Sequence, residues 1–295
     1  MPELPEVETI VRTLRPRLIG DRIVDVSVFW RRSIARPTGA ALWQRLCKLD
    51  VGGRPGVGRG SVIQKLTRRG KYIIISLSMA CHLVIHLRMT GRLILYSSTD
   101  RARAARFTRV CFSLASGNAL AFEDLRKFGR LYLVDDPDIV VGGLGPEPLE
   151  SKFTLEVFWD LLQRHRQIKP LLLDQHVLAG LGNIYVDESL WRARIHPLRH
   201  ASSLCPNEAE GLYVAIRSTL RDAIAFKGTT FRDYRNADGS AGANQYALAV
   251  YGRKGQPCPR CGTAIERIIV GSRGTHLCPQ CQRQAVTDGT TPNEE

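Results

Sequence analysis

The chain has 295 residues, enough for one large domain or two ordinary ones with an ample core. Its 44% hydrophobic and 24% charged residues exclude a disordered or fibrous protein. No run approaches the ~20 apolar residues that span a bilayer, and acids follow Met1 where a secretory signal would carry lysines, so no membrane association is expected and a cytoplasmic location is. A net charge of +14 favours a polyanionic partner, nucleic acid before an anionic membrane surface.

The chain opens "MPELPEVETI". Pro5 suits the first turn of a helix, and Glu6 and Glu8 suit its positive N-terminal end. Val7, Ile10, Val11, Leu14 and Leu18 recur at helical spacing until Gly20. Pro2 and Glu3 lie ahead of that helix and are not explained by it. "RIVDVSVFW" then alternates apolar and polar residues as a half-buried strand does. Further strands are expected at "KYIIISLS", "HLVIHLRM", "RLILY", "TRVCFSL", "ALAF" and "RLYLV", with "ASGN" (115–118) as a hairpin turn. The N-terminal part, 1–143, therefore reads as one helix plus an antiparallel sandwich or barrel. "VGGRPGVGRG" (51–60) reads as a flexible Gly/Arg loop, and "LGPEPLESK" (144–152) as a hinge. Beyond it the period turns helical at 153–165, 169–178, 184–192 and 206–226. Residues 228–250 read as a long loop, 250–284 as a short cysteine-bearing β-ribbon, and 285–295 as a polar, disordered tail.

The charge is unevenly spread. Between Val51 and Phe122 the only acid is Asp100, against twelve lysines and arginines: Arg54, Arg59, Lys65, Arg68, Arg69, Lys71, Arg88, Arg92, Arg101, Arg103, Arg106 and Arg109. Dispersed surface charge normally mixes both signs, so the tract favours a phosphate-facing wall over a merely solvated surface. Eight cysteines in a cytoplasmic chain argue against a disulfide framework. Cys47, Cys81, Cys111 and Cys205 read as small core residues. Cys258, Cys261, Cys278 and Cys281 form C-x2-C-x16-C-x2-C, two knuckles that can offer four thiolates to one tetrahedral zinc. Four thiolates leave no open coordination position, so one structural zinc ion is expected. Arg273, in the turn "GSRG" of this basic ribbon, is placed to reach phosphate.

Two further features carry chemistry. In "LAGLGNIYVDESLW" a glycine turn leads into a helix at Asn183, either an ordinary N-cap or a set of backbone amides presented to phosphate. At the N-terminus, removal of Met1 would leave Pro2 with a secondary α-amine, of which about a tenth is neutral at pH 7. Its attack on a sugar C1′ would give an iminium that has no N–H to lose and so acidifies the C2′ proton. Glu3, next to it, could protonate the sugar oxygen or a leaving group.

"PELPEVET", "RRGKY", "GLGNIY" with "DESLW", "GTTFRDY", "VYGRKGQPCPRCG" and the second CxxC occur in the order found in formamidopyrimidine-DNA glycosylases, and the chain resembles that family over residues 2–283. The resemblance implies an α+β fold: an N-terminal helix plus antiparallel β-sandwich, then a helical helix-two-turns-helix domain (153–249) carrying a damaged-base recognition loop (228–250), and a zinc β-ribbon finger. DNA is implied to lie in a cleft between the two domains. It further implies that Pro2 is the Schiff-base nucleophile, Glu3 the acid that assists ring opening, Lys71 the lysine at the damaged nucleotide, and Arg273 the ribbon-tip arginine of δ-elimination. Asn183 matches a phosphate-binding asparagine and Arg164 a DNA-contacting basic residue. Met89, Arg126 and Phe128 match the trio that fills the gap left by an everted base, although without the family Met89 and Phe128 would read as core residues.

The sequence departs from the family at Leu125, where proline is commonest, at Phe107, where histidine is common and Arg106 or Arg109 could supply the DNA contact, and at Asn244, where an aromatic is frequent. The expectation is a DNA-repair enzyme, a bifunctional glycosylase and AP lyase acting on oxidised purines (8-oxoguanine, formamidopyrimidines) in double-stranded DNA by β- and δ-elimination, monomeric and associated with the nucleoid. An endonuclease VIII-type enzyme for oxidised pyrimidines and a non-catalytic zinc-ribbon DNA-binding protein are the alternatives.

Overall fold

The structure, a computed structural model, describes residues 2–36, 60–78, 80–231 and 234–284. The expected tail, Cys47, Arg54, Arg59 and nearly all of the Gly/Arg loop lie outside the described residues. The chain divides into two compact units, the first made of 1–147 with 220–247 and the second of 148–219 with 248–295.

The first unit begins with α1 (Leu4–Leu18). Proline occupies its first turn, Glu3 is the N-cap with extended backbone, and Glu3 and Glu6 close a reciprocal capping box. The helical spacing is borne out: Val7, Ile10, Val11, Leu14 and Leu18 are all fully buried, and α1 packs on β3 and β4 of the sheet that follows. That sheet comprises β1 (Arg22–Val28), β2 (Ile34–Arg36), β3 (Ser61–Arg69), β4 (Tyr72–Leu77), β5 (Cys81–His86), β6 (Gly91–Tyr96), β7 (Thr108–Leu114), β8 (Ala119–Asp124) and β9 (Arg130–Val134). Its order is β2-β9-β5-β4-β3-β1-β7-β8-β6, antiparallel throughout except for β2 against β9. β1 and β3 meet only at Arg22↔Val62 and Ile23↔Ser61, so the sheet is two halves joined at a corner. Ile63, Ile75, Leu83 and Leu131 from one half, and Val26, Val110, Phe112 and Leu120 from the other, enter a single apolar cluster with α1. Two short helices, α2 (Thr99–Ala104) and α3 (Asp138–Val141), complete the unit's first stretch.

Seven of these strands stand where alternation predicts them. β3 was not among them, and the reason is local: its register slips between Ile63 and Lys65, so buried Ser61, Ile63 and Leu66 lose strict alternation. The "ASGN" turn joins β7 to β8, with Gly117 at φ +84.

The second unit holds α4 (Leu155–Leu162), α5 (Ile168–Leu173), α6 (Asn183–Arg192), most of α7 (Pro206–Ala225), and the hairpin β10 (Glu266–Val270) with β11 (Arg273–Leu277). Its aromatic centre is Phe153, Phe158 and Tyr213, with ring centroids 5.5–6.2 Å apart. The helix expected to reach residue 178 ends at Leu173. Asp174 takes the His176 N–H onto its own Oδ1 at 3.1 Å, a local turn that competes with the helical ladder. Cys81 and Cys111 are buried as expected, but Cys205 is exposed. It stands in the polar turn before α7, where its N–H bonds Glu208 Oε2 at 2.9 Å.

A partly buried ionic chain ties the first turns of α1 to the β3–β4 turn. Glu8 accepts Arg68 Nε at 2.9 Å and Arg12 Nε at 2.7 Å. Arg68 Nη1 then reaches Glu147 Oε2 at 2.7 Å, and Glu147 also receives Arg69 at 3.3 Å and the Gly70 N–H. Burial pushes the Glu8 carboxyl up, but the two guanidiniums outweigh it and hold it below the ordinary carboxylate range. Glu147→Ala removes one of the two carboxylates that hold Arg68 and leaves the Gly70 N–H without its acceptor. The expected cost is about 3–5 kcal/mol, read as a lower urea midpoint; a loss below about 1 kcal/mol would show that water replaces the carboxylate.

Candidate functional site

In the first unit Pro2 is buried and Glu3 is 2% exposed, at the head of α1. Lys71 is 5% exposed and follows Gly70, whose φ of +54 makes the tight β3–β4 turn. Arg68 bonds the Gly70 carbonyl at 3.1 Å while holding Glu8, so the turn that carries Lys71 and the helix that carries Pro2 and Glu3 share one anchor. Beside Lys71 stands His86, 7% exposed and edge-on to Tyr72 at 4.5 Å. Burial first, then the charges of Arg88 and Lys71, push the His86 imidazole down to about 3. It is neutral at physiological pH, and its Nδ1 accepts the Arg88 N–H at 3.0 Å, leaving Nε2 as the protonated nitrogen.

Met89, Arg126 and Phe128 come together on the surface. Met89 is 44% and Phe128 47% exposed; the Arg126 guanidinium lies 4.8 Å from the Phe128 ring centroid, and its Nη1 is 3.2 Å from Met89 Sδ. A core role for the two apolar members is thereby excluded. Their two loops are organised by Asp124, which is fully buried. Its Oδ1 accepts the Thr90 hydroxyl and the Arg126 N–H, and its Oδ2 accepts the Gly129 N–H at 2.7 Å. At Gly129 a Cβ would lie 2.3 Å from Phe122 Cζ, so only glycine closes the loop. Leu125, the residue in the place of the family's proline, is 44% exposed at the start of this loop.

The basic tract divides. Arg68 and Arg69 are held by Glu147, Arg103 by Asp25 at 2.6 Å, and Arg109 Nε by the Asp124 carbonyl at 2.8 Å. For Arg68 and Arg69 the phosphate-facing expectation is wrong, because acids distant in sequence neutralise them. Lys65, Arg88, Arg101 and Arg106 remain exposed, with Arg106 5.2 Å from the Phe107 ring centroid.

Among its described residues, segment 228–247 is irregular apart from a turn at Asn244–Tyr246. Asn244 is buried, donating from Nδ2 to Thr229 Oγ1 at 2.8 Å, whereas Tyr246 is 87% exposed. Asn244 is thus a brace within the loop.

In the second unit the β-ribbon is fastened to α5 and α6. Lys169 Nζ meets Asp187 Oδ1 at 2.6 Å with both side chains fully buried, and Asp187 Oδ2 accepts the His276 N–H at 2.8 Å. Asn183 donates from Nδ2 to the Gly274 carbonyl at 2.8 Å, and Glu188 accepts the N–H groups of Ala249, Val250 and Tyr251 at 2.8–2.9 Å. Arg273 is exposed at the hairpin tip, after Gly271 and Ser272 at φ +54 and +61, the two left-handed residues of a tight hairpin turn. Arg164 is exposed beyond the end of α4. The sulfurs of Cys258, Cys261, Cys278 and Cys281 lie within 4.8 Å of one another, with pairs at 3.5 and 3.9 Å. Thiolates each ~2.3 Å from a central zinc sit about 3.8 Å apart, so the set fits a tetrahedral ion. Trp191 Nε1 donates to Cys258 Sγ at 3.4 Å, a bond that would support a thiolate ligand.

Glu6, Asp124, Glu147, Lys169 and Asp187 organise these sites and carry no sequence signature. Asp124, just ahead of a glycine-closed loop, is the one that turn chemistry could have marked.

Residues 1–131 match the family description "Formamidopyrimidine-DNA glycosylase N-terminal domain", residues 144–235 its H2TH domain, and residues 255–284 "Zinc finger found in FPG and IleRS". The formamidopyrimidine-DNA glycosylase of Protochlamydia amoebophila is 44% identical over 290 residues, 96% of this chain and 100% of that protein. Two Lactococcus lactis Fpg structures, in complex with DNA containing Fapy-dG and with DNA containing an abasic site, each superpose with a TM-score of 0.84. They are 35% and 36% identical, and each comparison covers 96% of this chain and 100% of the other.

His86 supplies a pH test. Its folded pKa of about 3 lies below the ordinary histidine value of 6.5, so the unfolded chain binds the extra proton between those values and stability falls as pH falls through that window. The slope from this group is about 1.4 kcal/mol per pH unit. His86→Asn is expected to flatten the stability profile between pH 6 and 4 relative to the native chain, measured by urea unfolding; parallel profiles would mean that His86 titrates normally.

Proposed function

The chain belongs to the formamidopyrimidine-DNA glycosylase family, and from that premise we propose a cycle of base removal and strand cleavage run by the residues at the head of α1. The enzyme is a DNA glycosylase of base excision repair that removes oxidised purines from damaged DNA. After loss of Met1 the Pro2 amine attacks C1′ of the damaged nucleotide, Glu3 protonates the ring oxygen, and the base departs. The resulting iminium withdraws electrons from C2′; loss of the C2′ proton expels the 3′ phosphate, and a second elimination expels the 5′ phosphate. Hydrolysis of the iminium by water then releases the unsaturated sugar aldehyde and returns the free amine. Lys71, buried on the turn that Arg68 ties to α1 through Glu8, assists the first elimination, and Arg273 steadies phosphate for the second.

Everting a nucleotide leaves an unstacked gap and an orphan base. The exposed cluster of Met89, Arg126 and Phe128 is the observation that carries this reading. Grouped on one surface around the Arg126 guanidinium, Met89 and Phe128 offer an apolar wedge beside a hydrogen-bond donor. Arg109, Arg164 and Asn183 contribute phosphate contacts. One zinc ion per chain, held by the four cysteines, is structural, since its coordination has no open position. The protein acts as a monomer on duplex DNA.

The test is reductive trapping. With borohydride and a duplex bearing 8-oxoguanine opposite cytosine, the native protein is expected to form a covalent adduct. Protein retaining Met1 should form none, and Pro2→Gly should slow the reaction by about 10-fold or more. Preferential trapping on thymine glycol would assign the pyrimidine class, and no adduct even on an abasic duplex would leave a DNA-binding protein only. Arg126→Ala with Phe128→Ala is expected to lower excision by about 10²-fold while trapping on a preformed abasic site falls less, measured in single-turnover assays. Metal analysis should find one zinc per chain, and its removal by a chelator should weaken DNA binding.

A further inference from the structure

Glu6 joins two segments that are far apart in the chain. Its Oε2 accepts the Glu3 N–H at 2.8 Å, and its Oε1 accepts the Thr229 N–H at 2.7 Å, with the residue only 1% exposed. The 228–234 stretch presses on the same residue in two other ways. Gly228, at φ +81, stands so close that a Cβ would lie 3.0 Å from both Glu6 Cγ and Oε1. The buried Tyr234 hydroxyl is 3.3 Å from the Glu6 carbonyl. A buried carboxylate with one oxygen committed to each segment cannot follow one without disturbing the other, because neither N–H has water to turn to.

We propose that Glu6 is a positioning residue that couples the foot of the 228–247 loop to the reactive N-terminus. This rests on the reading of Pro2 and Glu3 above. Pro2 is joined to Glu3 by a planar peptide bond, so whatever sets the Glu3 backbone also sets the direction of the Pro2 amine. A loop that only recognised a damaged base would govern excision and have no influence on a site that has already lost its base. Coupling through Glu6 makes a different demand: disturbing the loop foot slows Schiff-base formation even on an abasic duplex. Displacements below an ångström suffice, since a 1 Å error in a reacting geometry costs as much as ~10²-fold.

Gly228→Ala and Glu6→Gln are the informative variants. The first pushes a methyl group against the Glu6 carboxylate from the loop side; the second keeps the shape but turns one acceptor into a donor that faces an N–H. Each is assayed for borohydride trapping on a preformed abasic duplex at saturating protein, for excision of 8-oxoguanine, and for affinity to a tetrahydrofuran-containing duplex. Trapping on the abasic duplex is expected to slow about tenfold in both, with affinity within about twofold. A defect that is merely structural would instead weaken binding and lower the melting temperature in step with the rate. If Glu6→Gln does not fold, Gly228→Ala carries the test alone, because it leaves Glu6 in place. Trapping at the native rate by variants that excise 8-oxoguanine slowly would overturn the coupling and leave a loop that reads the base only. Failure of the native protein to trap is a separate result, seen without any variant, and would withdraw the assignment of Pro2 itself.

Discussion

The placing of Pro2 and Glu3 at the head of α1 depends on the largely buried chain Glu8–Arg68–Glu147. A chain end is intrinsically among the least constrained parts of a protein. Here the helix that carries it is fastened through Glu8 to Arg68 at 2.9 Å, and Arg68 is fastened in turn to Glu147 at 2.7 Å. The same guanidinium bonds the Gly70 carbonyl next to Lys71. A buried ion pair contributes little net stability compared with apolar packing. What it contributes is geometry, since a planar guanidinium with partners on several sides fixes two elements in one orientation.

Both units repeat that device, placing a fully buried carboxylate behind an exposed functional surface. Asp124 gathers the Thr90 hydroxyl and the Arg126 and Gly129 amides behind Met89, Arg126 and Phe128. In the second unit Asp187 joins Lys169 to the His276 amide behind the ribbon whose tip bears Arg273. In each case the interior of a loop or hairpin would otherwise contain unpaired polar groups, each costing about 1–3 kcal/mol. The carboxylate satisfies them and leaves the outward side chains free to meet a ligand. Exposed side chains are thus held in place by buried acids that stay behind the surface.

Much of the fold is legible along the chain because it rests on periodicity. The α1 stripe, seven strands, the ASGN turn and the paired cysteine knuckles each need only neighbours within a few residues. β3 is hidden by its irregular register near Lys65. The helix at 168–173 stops early because Asp174 prefers its own local turn. The glutamates of the opening segment are legible only in part. Their place near the positive end of α1 follows from sequence, but Glu8 reaches Arg68 and Glu6 reaches Thr229, 60 and 223 residues away.

By itself the sequence determined the element types, the metal-binding thiols and the chemistry available at Pro2 and Glu3. These depend on residue type and short spacing. Tertiary structure alone decided which charges remain available. Arg68, Arg69 and Arg106 stand in one basic tract, yet two are held in ion pairs by Glu8 and Glu147 and the third is exposed over Phe107. It also decided that Met89 and Phe128 stand outside the core and that Asn244 braces its loop from within. The physical reason is that the partner of a charge and the burial of an apolar side chain are set by distance in space. Folding brings together residues whose separation along the chain carries no trace of that distance.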